Sequence, residues 1–110
     1  MSEKPITDGI LITFGSFELL EKIQALCLSI DVALDNPDVI LLAGIFPKDL
    51  MTIVRSVKAY HAMHEVEGPI VILTFDHPSY PDRDDQRRQV KTLKLLLEEE
   101  GYTNIQIVEQ

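Results

Sequence analysis

The chain has a single cysteine, five glycines and few aromatic residues (6%) among its 110 residues. No apolar run approaches the roughly 18 residues that a membrane span needs. A lone Cys27 cannot close an internal disulfide or build a cysteine-based zinc site, and among apolar neighbours it reads as packing. The glycines supply neither a G-x-G-x-x-G fingerprint nor a Walker A sequence, so dinucleotide and P-loop nucleotide binding are not supported. Basic residues are also outnumbered: 10 Lys and Arg stand against 18 Asp and Glu, a formal net charge of −8. Nucleic-acid affinity depends on cations that release condensed counterions, so DNA and RNA are not expected partners. The opening Met1-Ser2-Glu3-Lys4-Pro5 has no basic stretch followed by an apolar one. No secretory or transit signal is read, and a cytoplasmic location without membrane association is expected.

What is present is a folding pattern. Hydrophobic residues make up 45% of the chain and charged residues 25%, and the length fits one domain, 1–110. After a polar leader, Gly9-Ile10-Leu11-Ile12-Thr13-Phe14 reads as a buried strand ending at Gly15. From Ser16 to about Leu34 apolar residues recur at helical spacing, until Asp35-Asn36-Pro37 breaks the pattern. Residues 38–43 form the second strand. Pro47 suits a first helical turn, and the stripe Leu50, Val54, Val57, His61 and His64 carries a helix to near Gly68-Pro69. Ile70-Val71-Ile72-Leu73-Thr74-Phe75 is the clearest strand. A charged helix over 82–100, stopping at Gly101, then leads to a half-polar strand at 105–108. Strands that alternate with helices and are apolar throughout imply a parallel sheet covered on both faces. The expectation is a three-layer α/β domain, βαβαβαβ, whose four-stranded, mainly parallel sheet has the order 2-1-3-4 with the last strand on an edge.

In such a sheet ligands collect at the carboxyl ends of the strands, where strand order reverses. Three loops are nominated: Gly15-Ser16, the stretch from Gly44 to Lys48 and Asp49, and Asp76-His77-Pro78-Ser79-Tyr80. Ser16 opens a helix, where its hydroxyl or the neighbouring amides cap the helix or cradle an anion. Asp76 and His77 have the chemistry of an acid-base pair. Adjacent residues at a strand end tend to point to opposite faces, however, and a proline-stiffened turn is the plainer explanation of them. Tentative catalytic residues are therefore His77, Asp76 and Ser16, and ligand contacts Gly15, Ser16, Lys48, Asp49 and Ser79.

Two family patterns bear on this rim. The Ser16, Asp76 and His77 set invites comparison with SGNH hydrolases, but the chain lacks their G-D-S and D-x-x-H motifs. The segments 37–42 and 69–74 resemble core strands of a response-regulator receiver domain. Ala43 and Gly44 stand where the phospho-accepting aspartate belongs, and the acidic pair of the first strand is missing, so phosphotransfer is not implied.

His61 and His64, three residues apart with Glu65 beside them, make two imidazoles on one helix face, too few for a metal site. Neither a metal nor a particular cofactor is expected. Arg87, Arg88, Lys91 and Lys94 form a basic patch that Asp84 and Glu98 can pair with. Ala25, Leu28 and Val32 make a second apolar stripe on the helix expected over 16–34, a candidate interface for a second copy or a protein partner. The leading expectation is a small binding or regulatory module that self-associates through that helix and holds any ligand at the carboxyl edge. The alternative is a compact hydrolase or nucleotide-processing enzyme using Asp76 and His77, with the Ser16 turn as anion cradle.

Overall fold

The computed structural model describes residues 4–14, 38–42, 49–75 and 82–109, and at Phe14, Leu41 and Leu42 only the backbone. The elements in chain order are β1 (Ile6–Thr7), β2 (Ile10–Phe14), β3 (Asp38–Leu42), α1 (Met51–Met63), β4 (Glu65–Val66), β5 (Ile70–Thr74), α2 (Arg83–Glu99) and β6 (Ile105–Glu109). The helix expected over 16–34 falls outside the described residues, as do Pro47 and Cys27.

The four longer strands form one sheet in the order β3-β2-β5-β6, with every neighbouring pair parallel. The chain is thus of the α/β class with a parallel sheet. Numbering only these four strands gives 2-1-3-4. Side chains alternate across the sheet. Ile10, Ile12, Ile70 and Ile72 share one face, and against it pack Ile53, Val54 and Val57 of α1 with Val90, Leu93 and Leu97 of α2. On the opposite face Leu11, Thr13, Val71 and Leu73 are also fully withdrawn from water. Burial on both sides is what makes these strands read as unbroken apolar runs. Both described helices lie on the first face.

Two local features depart from the sequence reading. The leader is not merely polar coil, because Ile6–Thr7 pairs in parallel with Glu65–Val66 as a separate two-stranded sheet. The second departure follows from the first. Helix α1 ends at Met63, short of the Gly68-Pro69 end expected, since the Glu65 amide donates to the Pro5 carbonyl (2.8 Å) and the Glu67 amide to the Thr7 carbonyl (3.0 Å). Strand pairing with the leader draws the chain out of the helix. A Cβ on Gly68 would fall on the Asp8 carbonyl oxygen, so the close approach of these segments requires glycine there.

Helix α2 has both of its sequence-marked ends. Asp82 Oδ1 accepts the Asp85 amide at 3.0 Å, the bond of an N-cap. At the other end Gly101 has φ 98°, its amide donates to the Glu98 carbonyl (3.0 Å), and the Tyr102 amide donates to the Leu97 carbonyl (3.2 Å). That pair of bonds is the Schellman arrangement, which favours glycine at its left-handed position. Gly101→Ala is expected to lower stability by about 1 kcal/mol in urea unfolding, with an unchanged dependence on denaturant. Gly68→Ala should cost more, because its new methyl meets backbone.

Candidate functional site

At the carboxyl end of the sheet the two central strands part. The β2–β5 ladder runs from Ile10↔Ile70 to Ile12↔Ile72. By contrast, β2 stays paired with β3 through Phe14↔Leu42, and β5 with β6 through Thr74↔Glu109. Beyond Ile12 the Leu73 carbonyl accepts the Thr13 hydroxyl at 3.1 Å, a side-chain bond just past the end of the backbone ladder. Here, too, the connections diverge, since β2 leads to β3 on one side and β5 to β6 on the other. A parallel sheet opens its ligand crevice at such a switch point.

The polar loops nominated for this rim continue from these strand ends, but Gly15, Ser16, Lys48, Asp76, His77 and Ser79 lie outside the described residues. Asp49 is described, and it acts at a helix start: its Oδ1 accepts the Met51 amide (3.0 Å) and its carbonyl the Thr52 amide (3.1 Å). Gln86, almost fully buried, donates through Nε2 to the Phe75 carbonyl at 3.2 Å. The first turns of α2 are thereby held against the end of β5.

The amino end of the sheet carries a cluster that the sequence reading missed. Asp38, the first residue of β3, is 7% exposed. Its Oδ2 accepts the Thr7 hydroxyl at 3.1 Å, and its Oδ1 lies 2.7 Å from His64 Nδ1. A carboxylate only accepts, so Nδ1 is the donor of the imidazole, and Nε2 remains as its second polar atom. Tyr60 stacks on His64 with ring centroids 6.0 Å apart and donates its hydroxyl to the Val39 carbonyl at 3.2 Å. These contacts join the end of α1 to the start of β3 and to β1. The available signal was an aspartate opening an otherwise apolar strand.

The histidine pair separates. His64 has left the helix (φ −126°, ψ 154°) and turns to Asp38. His61 keeps Nδ1 at 3.0 Å from the Val57 carbonyl and lays its ring against Tyr102 at 4.7 Å. Among the described residues no group of three or more His, Cys, Asp or Glu side chains is placed to hold a metal ion. An open recess of about 640 Å³ lies beside the pair, lined by Lys4, Ile6, His61, His64, Glu65 and Val66.

The two arginines of the basic patch on α2 are paired. Arg87 reaches Asp84 (3.2 Å) and Arg88 reaches Asp85 (3.1 Å). Arg87 and Arg83 both bind Glu109 of β6, at 2.6 and 3.0 Å. Hydrogen bonds from Arg87, then Arg83, hold the Glu109 carboxyl below the usual carboxylate range. A depressed folded-state value means that its contribution to stability is present above the unfolded-state value and is lost as pH falls through the folded one. The difference in thermal midpoint between wild type and Glu109→Gln should therefore be seen at neutral pH and vanish on acidification. Asp38→Ala, which removes the acceptor of both Thr7 and His64, is expected to cost about 1–3 kcal/mol in denaturant unfolding, more than Thr7→Val. Compared with protein-family models, with curated proteins and with solved structures, the chain has no match.

Proposed function

We propose that this chain is a small α/β binding or regulatory module that holds a ligand on the carboxyl rim between β2 and β5. The observation that carries the reading is the early end of the β2–β5 ladder at Ile12↔Ile72, where the connections between the described strands diverge. Gly15 and Ser16 follow β2 directly, and Asp76, His77 and Ser79 follow β5. A short anionic group suits this set. Amides and a hydroxyl at the start of a helix after β2 would meet it from one side, and the His77 imidazole from the other.

The three-layer form belongs to the same proposal. Leu11, Val71 and Leu73 are buried on the face away from α1 and α2. The helical periodicity of 16–34 makes that segment their natural cover, with right-handed crossovers throughout. The position of the cluster at the amino end argues for a structural role there, since Asp38 already spends both oxygens on Thr7 and His64.

The test is an amide-shift titration with inorganic phosphate. Shifts centred on residues 12–16 and 73–79, weakened in Ser16→Ala and His77→Ala, are the expected result. Shifts centred on Lys4, Ile6 and His64 would overturn the assignment. Hydrolysis of simple esters or phosphoesters that is abolished by His77→Ala would replace the binding module with the enzyme reading.

A further inference from the structure

Among the described residues β6 is the last strand of the sheet, with β5 as its neighbour. The Ile70 amide donates to the Asn104 carbonyl at 2.8 Å. In a parallel pair successive residues alternate in the side to which their backbone groups point. Asn104, Gln106 and Val108 therefore turn their amides and carbonyls toward β5, while Ile105, Ile107 and Glu109 turn theirs outward.

Edge strands of soluble proteins are commonly guarded by lysine, proline, a bulge or an unpaired charge. This one has none of the first three: its sequence is Ile-Gln-Ile-Val-Glu in five regular residues, all in register with β5. Its one charge, Glu109, is drawn onto α2 by Arg83 and Arg87 and so does not repel a second copy. Ile107 remains 46% exposed. It also lines a mainly aliphatic cleft of about 180 Å³ with Thr74, Val90 and Lys91, of the order of the ~150 Å³ that accepts a benzene ring.

We propose that two copies of this chain associate through β6, antiparallel, about a two-fold axis at Ile107, to make one continuous eight-stranded sheet. That register is self-complementary. Ile107 faces Ile107 of the second copy and Ile105 faces its Glu109, so each outward residue donates and accepts one hydrogen bond and no like charges stand opposite each other. Ile105, Ile107 and Glu109 lie on the face that carries α2, as the packing of Ile105 on the core and the Arg87–Glu109 pair show. The second copy's Ile107 thus arrives on the same side as the cleft. One short edge buries less than the roughly 1,200 Å² of a standard stable interface, so the dimer depends on concentration. With each copy at −8, it strengthens as added salt screens the repulsion.

The experiment is sedimentation equilibrium from micromolar to millimolar protein, paired with amide hydrogen exchange. The mass should rise from 12.5 kDa toward twice that value. Exchange at Ile105, Ile107 and Glu109 should slow with concentration while Gln106 and Val108 stay protected throughout. Ile107→Pro removes only an outward amide and so spares the internal ladder. It and Ile107→Lys should both stay monomeric with an unchanged far-ultraviolet spectrum. A wild-type monomer at millimolar concentration would refute the proposal. So would a dimer that survives both variants but is lost in Leu28→Lys, which would move the interface to residues 16–34.

Discussion

All of β5 and the first four side chains of β2 are withdrawn from water on both faces of the sheet, and the remaining architecture answers to that requirement. Such burial on both faces goes with parallel neighbours, whose crossover connections can lie over the sheet, and every described neighbouring pair is parallel. At roughly 1.5–3 kcal/mol for each large aliphatic side chain, Ile10, Leu11, Ile12, Ile70, Val71, Ile72 and Leu73 supply a driving force that local preferences cannot oppose. The order β3-β2-β5-β6 places both strands in the interior and leaves the more polar segments on the edges.

The two ends of the sheet serve different ends. At the amino end, short parallel pairing of the leader with residues 65–66, the Asp38 carboxylate and the stacked Tyr60 and His64 lock the entry of β3 to the exit of α1. There the Asp38 carboxylate and the Thr7 and Tyr60 hydroxyls hold elements together. At the carboxyl end, the central ladder stops early while the outer ladders continue, and the loops with the richest side-chain chemistry leave from there. The sheet is thus tied closely at one end and parts at the other.

Helix α2 links that rim to the outer edge. Gln86 ties its start to Phe75, and Arg83 and Arg87 hold the last residue of β6, so contacts at the end of β5 and the geometry of the β6 edge share one rigid element.

Sequence alone determined the four long strands, the helix between Asp82 and Gly101, and the parallel order, because those rest on apolar runs, an N-cap and a glycine stop that act over a few residues. Of the site residues it nominated, Gly15, Ser16, Lys48, Asp76, His77 and Ser79 fall outside the described residues. Tertiary structure alone decided the rest. The early end of α1, the pairing of the leader, the union of Thr7, Asp38 and His64, and the capture of Glu109 by α2 each join residues distant in the chain. Contacts of that kind leave no periodicity behind, because a polar residue's partner is chosen by where the backbone carries it and not by its sequence neighbours.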